Sequence, residues 1–489
     1  MNKQVKVERL HYIFIIACML LYVITRIVAN NPDSDSYFLM EIGKYIVENT
    51  EIPTTNVWTL HEDFDIIIQQ WVCDVANYGA YYLAGYTGLT LWTIILTAIA
   101  NILLWNYSSL YTNNNKIKLF ISCVINILLL GYMNTRPQFG TFILVLYELT
   151  TLQKYETQKD NKAKFILKMC LISILQINWQ ASMWPMTLIM ILPYVVPAVW
   201  NIKETDLHKL KTYAITALAM IITALLNPSG VDALTYLFKS YDSTSTNAFI
   251  SEMLSPNIKT SFAFFIILTI VLFTIVLKDK YYDKALIYLT LGTVLLAIMH
   301  IRNNWLVAFS LVQLISKILN DKVDSNRPEA STSKPRAILI AVAYTITIAI
   351  MSILLIGAIV STDDTIRSQE PKDAVEYLNK LDKDTITLFT EFNNGAYLGW
   401  HGYKVYIDAR AETYTKNINN KKDIYNEYID LRKGDLDFED FLDEYNFTHL
   451  IATNNTTLDV YLRYNDDYTA VVDNDVYRLY EVNSYKGDK

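Results

Sequence analysis

The sequence predicts a polytopic α-helical membrane protein with a C-terminal α/β domain outside the membrane. Three observations predict it. Hydrophobic residues make up 52% of the 489-residue chain, and they recur as spanning-length runs through roughly the first 360 residues and then stop. Basic residues alternate from loop to loop along those runs, as the positive-inside rule requires of a multi-span protein. Beyond residue 370 the pattern changes to short β-branched runs alternating with short amphipathic ones. The prominence of Ile, Asn, Lys and Tyr points to an AT-rich, bacterial genome.

At the N-terminus, Lys3, Lys6 and Arg9 precede the first apolar run, as in a signal peptide. No small-x-small cleavage site follows, so the run reads as a retained helix. Spanning segments begin near His11, Leu89, Ile117, Phe139, Phe165, Pro185, Tyr213, Phe262, Ala285, Asn303 and Ile338, about eleven in all. With the N-terminus in the cytoplasm, the loops 1–10, 112–118, 153–168, 201–211, 278–284 and 317–336 fall inside and hold about 21 Lys and Arg. The opposite side has only Arg26, Lys44, Arg136, Lys239, Lys259 and Arg302 before the tail. An odd number of spans then divides the chain into a multi-pass membrane domain, 1–360, and an extracytoplasmic domain, 361–489. The latter is acidic and gives no nucleic-acid footprint. Cys18, Cys73, Cys123 and Cys170 all precede it and show no zinc spacing, so it has no disulfide framework.

The first outer loop, 31–85, opens on Asn31-Pro32-Asp33-Ser34-Asp35. Carboxylates at a membrane boundary are functional candidates, because they are costly in hydrocarbon. The competing reading is an acidic helix cap. Phe38, Ile42, Tyr45 and Ile46 then recur at helical spacing, predicting an amphipathic helix on the bilayer surface. Trp58 and Trp71 read as interfacial anchors around His61-Glu62-Asp63, which reads as an exposed polar stretch rather than a metal site.

This topology collects other polar residues on the same side. Arg136 and Arg302 either snorkel to headgroups or serve a site. Asn178 and Gln180 read first as hydrogen-bonding links between helices. Asn227-Pro228-Ser229-Gly230 is a turn, and His300 a packed residue. Gln138 and Glu252 join this outer set. In the tail, helices are expected at 371–381, 438–445 and 458–464, and strands at 385–389, 404–407, 449–452, 470–472 and 476–482. Asp408 and Arg410 follow a strand end, where ligand sites often lie, although a structural salt bridge explains them equally.

Together these motifs resemble the GT-C superfamily of membrane glycosyltransferases, and most closely a bacterial branch of it. The resemblance rests on Asp33/Asp35, Gly43, Pro53, Arg136-Pro137-Gln138, Asn227-Pro228-Ser229-Gly230 and Arg302-Asn303. In the tail it rests on Asn393-Asn394-Gly395-Ala396-Tyr397-Leu398 and Tyr406-Ile407-Asp408-Ala409-Arg410. The chain departs from that pattern at Leu39, Gln70 and Ala409, where His, Glu and Gly are common.

The resemblance implies an inverting glycosyltransferase that moves a sugar from a polyprenyl-phosphate carrier to an acceptor at the outer face of the cell membrane. Asp35 would be the general base, with Asp33 orienting it or sharing its proton. Arg136 and Arg302 would receive the phosphate. Gln138, Asn178, Glu252, Asp408 and Arg410 would be sugar or acceptor contacts. No cofactor is required by this scheme, although a divalent cation between Asp33 and Asp35 is an alternative. Two other functions fit an envelope protein of this kind: a transporter or flippase for lipid-linked sugars, and a polymerase or ligase of lipid-linked glycans. The membrane lipids and the carrier are the expected partners.

Overall fold

The computed structural model describes residues 4–6, 8–30, 32–158, 161–200, 207–241, 251–257, 261–278, 283–320, 331–367 and 370–483. Much of the basic loop sequence (159–160, 201–206, 279–282, 321–330), together with Asn31 and Lys259, lies outside them. The chain is mostly helical. α1 (Glu8–Asn30), α2 (Ser34–Asn49), α3 (Trp71–Ser108), α4 (Asn115–Leu129), α5 (Pro137–Gln158) and α6 (Lys162–Trp179) build the half that carries the aspartates. Further helices include Leu207–Ala224, Ser261–Lys278, Lys284–Met299, Val307–Asn320 and Lys334–Arg367.

Helical structure lies at each of the eleven expected positions. Among the described residues, three segments are long and apolar enough to cross a membrane: Arg9–Ala29, Trp71–Ser108 and Asn115–Tyr132. Their outer surfaces are apolar as well as their inner ones. Ile13, Ile102, Phe120 and Ile127 are all more than half exposed. Helices hydrophobic on every side suit lipid and not water. The inner core is built around Phe142, Trp305 and Phe309, with Phe142 stacked on Phe309 at 5.4 Å. The last apolar helix returns to the first: Tyr344 stacks on Phe14, and β1 (Gln4–Lys6) pairs antiparallel with β2 (Ser331–Ser333).

The first loop is shorter than expected. α3 begins at Trp71 and bends at Ala84–Gly85, where Gly85 takes φ +60°. Glycine adopts that conformation without a Cβ clash, so the helix changes direction there before entering its apolar half. The expected span from Leu89 is only that second half. Asp74 and Asn77 at the polar start of α3 disguise the first half as loop.

α2 is not a surface helix. Its apolar stripe is buried against α3 and the C-terminal segment, with Tyr37, Phe38, Leu39, Met40 and Ile42 all enclosed. The stripe has a protein partner rather than a bilayer. Gly43 permits the contact with α3, since a Cβ there would lie 2.1 Å from the Asp74 carbonyl oxygen.

Residues 370–483 carry a four-stranded mixed sheet, in the order β3 (Leu388–Phe389), β4 (His449–Thr453), β6 (Tyr477–Val482), β5 (Tyr468–Asp473). β3 runs parallel to β4, and the other pairs are antiparallel. The strand expected at 404–407 is reduced to Val405, which bridges Thr59 on one side and Leu388 on the other. The first loop therefore runs along this part of the chain. Leu60 N donates to Val405 O (3.0 Å), and the His61 ring hydrogen-bonds the Tyr406 carbonyl at 2.9 Å. His61 is thus buried among aromatic rings, not exposed, and burial pushes its pKa down to about 4. Trp58 is also buried here, under the Arg410 guanidinium at 5.1 Å, rather than anchored at an interface.

Candidate functional site

The site begins with the start of α2. Asp33 is its N-cap: Oδ1 accepts from Ser36 N at 3.0 Å and from Ser36 Oγ at 2.7 Å, while Asp33 N donates to Ser36 Oγ at 3.0 Å. Ser36 Oγ also meets Thr135 Oγ1 at 2.6 Å, which ties the cap to the Asn134–Arg136 turn. The capping reading holds for Asp33 and not for Asp35, which sits in the first helical turn with its carboxylate free of the cap. Both carboxylates lie at the positive end of the helix dipole.

Arg136 joins them. Its Nε reaches Asp33 Oδ2 at 2.6 Å, and its Nη1 reaches Asp35 Oδ2 at 3.1 Å and Glu252 Oε1 at 2.7 Å. The guanidinium occupies the position a shared divalent ion would take between the two aspartates, so this pair does not fit a metal. Arg136 is a member of this network and not a snorkelling residue. Burial works against its charge, but the carboxylates of Asp35, Asp33 and Glu252 outweigh burial and raise its pKa further. Asp35 behaves oppositely. Burial raises its pKa more than the Arg136 charge lowers it, and Asp33 and Glu252 add repulsion, leaving it at about 7. A carboxyl poised there is a competent base near neutral pH.

These groups line a cavity of about 280 Å³. Asp35, Arg136, Gln138, Glu252, Arg302 and Arg410 all face it, so six of the nine sequence-predicted site residues are brought to one place. The other three lie elsewhere. Asp33 stands behind Arg136. Asn178 links helices instead: its Oδ1 accepts from Trp71 Nε1 at 2.7 Å, and its Nδ2 donates to Leu226 O at 2.9 Å. Asp408 is buried in a salt bridge to Arg410 (side-chain exposures 1% and 4%) and acts on the cavity only through it. His300 and Asn227 are packed and turn residues, as expected.

Leu39, Gln70 and Ala409, the three departures from the family pattern, all line this same cavity. The C-terminal segment supplies one wall, through Phe392, Asn393 and Ala409–Thr413. Its position depends on Gly395, where a Cβ would lie 2.0 Å from the Ile407 carbonyl oxygen.

Sequence reasoning missed two carboxylates. Asp74 lines the cavity, is completely buried, and neither of its oxygens accepts a hydrogen bond. Its signal was a lone Asp in an otherwise apolar run. Glu41, on α2, has Oε2 buried without a hydrogen-bond partner. Burial pushes its pKa up to about 8, against the attraction of Arg410. Among the described residues, no group of three or more His, Cys, Asp or Glu is arranged to hold a metal ion.

The loops sort into two ends of the bundle. Asp35, Arg136, Gln180, Glu252 and Arg302 share the cavity. Residues expected on the opposite side meet one another: Lys209 pairs with Glu156, Thr112 Oγ1 donates to Asn320 Oδ1 at 2.7 Å, and Gln153, Asp283 and Lys284 border a second pocket.

The arrangement of helices, first loop and C-terminal sheet has a counterpart among solved structures. It is similar to that in the crystal structure of ArnT from Cupriavidus metallidurans in the apo state, with a TM-score of 0.56 over 97% of this chain and 99% of that one. The sequence identity is 10%, so the likeness is one of fold. No family model matches the chain, and no curated protein matches it.

Proposed function

We propose that the protein is an inverting glycosyltransferase that takes a sugar from a polyprenyl-phosphate carrier and passes it to an acceptor at the outer face of the membrane. The observation that carries this reading is Asp35: a carboxyl at about 7, beside Arg136 in a cavity at one end of an apolar helix bundle. The ArnT-like fold supports it.

In this scheme the acceptor hydroxyl attacks the anomeric carbon while Asp35 takes its proton. The bond from that carbon to the phosphate oxygen breaks, and polyprenyl phosphate leaves with the electron pair. One displacement inverts the anomeric centre. Arg136 and Arg302 receive the departing phosphate, Arg being suited to oxyanions. Phosphate must compete with Asp35 and Glu252 for Arg136 Nη1, so carrier binding itself would free the Asp35 carboxylate for its role as base. We assign residues 361–489 to an extracytoplasmic domain that walls the cavity, on the strength of the basic loops in the other half of the bundle.

The test is transfer of label from polyprenyl-phosphate sugars in membranes containing wild type or Asp35→Asn. Transfer by wild type alone supports the assignment. Equal transfer by both removes Asp35 from the chemistry. Carrier translocation without transfer favours a flippase.

A further inference from the structure

Asp74 plays no part in the chemistry above, yet it is the most enclosed ionisable group of the cavity. Its exposure is 0%, and both oxygens lack a hydrogen-bond partner. Buried carboxylates normally have one, because an unmet buried acceptor is costly. Across the same cavity wall stands Arg410, 5% exposed, whose Nη1 also has no partner. Its other nitrogens, Nε and Nη2, are held by Asp408. No hydrogen bond joins the two.

The pair constrains what can sit between them. An anion suits Arg410 but offers no proton to the two Asp74 oxygens, both of which lack a donor. A cation suits Asp74 and is repelled by Arg410. A neutral group that accepts from Nη1–H and donates to a carboxylate oxygen satisfies both, and a hydroxyl does this with one atom. Gln70, Gln138, Gln180 and Asn393 line the same space and offer both donors and acceptors to further hydroxyls. The ionic network of Asp35, Arg136 and Glu252 supplies no such mixed pair.

We infer that Asp74 and Arg410 form a sugar-hydroxyl subsite that selects the transferred sugar, with Asp74 as a specificity-determining residue. The inference rests on the glycosyl-transfer reading and adds the group that recognises the sugar ring. It predicts that one ring hydroxyl matters far more than its neighbours, because removing it leaves two buried polar groups unmet.

The experiment measures kcat/KM for polyprenyl-phosphate-linked glucose, galactose and mannose and for their monodeoxy analogues, with wild type and Asp74→Ala. In wild type, one monodeoxy donor should fall on the order of tenfold to a hundredfold below its parent. Asp74→Ala should lose a similar factor on the parent and no longer distinguish the two. Asp74→Ala breaks no side-chain hydrogen bond, so it is expected to fold. If it does not fold, the wild-type series decides alone. Deoxy donors all within about twofold of their parents in wild type, or full discrimination retained by Asp74→Ala, would overturn the subsite. No transfer by wild type from any parent donor would instead overturn the glycosyl-transfer reading, and the subsite with it.

Discussion

Only Ser34 separates Asp33 from Asp35, and the first turn of α2 begins between them. That turn divides their work. Asp33 spends its lone pairs on the cap and on Arg136 Nε, so Asp33→Ala should lower stability by about 1 kcal/mol from the cap alone. Denaturant unfolding in detergent measures this. Asp35 has no capping duty, so Asp35→Asn should leave the melting temperature near that of wild type while lowering transfer by roughly a hundredfold or more. Because burial lifts Asp35 to about 7, transfer should rise about tenfold per pH unit up to pH 7 and then level off. A profile flat from pH 5 upward would remove Asp35 as the base. Glu41 gives a prediction about stability. Its folded pKa of about 8 lies above the usual carboxyl value, so folding holds a proton that the unfolded chain releases. That stabilisation is complete below the unfolded pKa and is lost as pH rises through 8. Glu41→Gln should therefore melt close to wild type at pH 5 and increasingly above it toward pH 9. A gap that stays constant with pH would show that Glu41 does not titrate in this way.

At the scale of elements, a pattern was legible wherever one face meets lipid or core, and illegible where a partner came from far along the chain. α2 was readable as a helix from Phe38, Ile42, Tyr45 and Ile46. Its partner was not, because nothing local says that Phe392–Trp400 will lie against it. The helices Phe392–Trp400 and Ile424–Lys433 were missed outright. The first is a short run containing Asn393, Asn394, Gly395 and Gly399, which reads as a turn, and tertiary packing overrides that preference. The second is strongly polar on its outer side, with little periodic signal. Helix 438–445 was legible because Asp437 caps it and Phe441 and Leu442 mark its buried side. The α2–α3 contact carries the prediction at this scale. A Cβ on Gly43 would meet backbone, which cannot turn aside as a side chain can. Gly43→Ala should therefore cost at least about 1–3 kcal/mol and shift Asp35 relative to Asp74. Thermal melting checks the first expectation. Activity that falls more than expression checks the second, and a fully active, fully stable variant would show that the helices separate freely.

For the whole molecule, the grouping of loops was legible, since charge alone placed Asp35, Arg136, Glu252 and Arg302 in one set and the structure brings them to one cavity. The closing of the cavity by the C-terminal segment was not legible, because it depends on contacts between residues more than 300 positions apart. Those contacts divide the packing into separate cores. Among the described residues, the bundle core around Phe142 and Trp305 draws on none beyond Leu319. A second core joins α2 and the start of the bundle to Leu388, Leu398, Val405 and Leu479. Tyr37 shows how closely: its ring meets Tyr397 edge-on at 5.1 Å, and its hydroxyl donates to Glu370 at 2.5 Å. Removing residues 370–489 should therefore leave the bundle folded and uncover α2. In hydrogen exchange, α2 and the first loop should lose protection by orders of magnitude, while α4, α5 and α6 keep theirs. Transfer should be lost as well, because Arg410 and the wall it belongs to go with the deleted segment. Protection retained in α2 after this truncation would mean that the bilayer, and not the C-terminal segment, covers its apolar face. Loss of protection throughout the bundle would mean that the two cores fold as one.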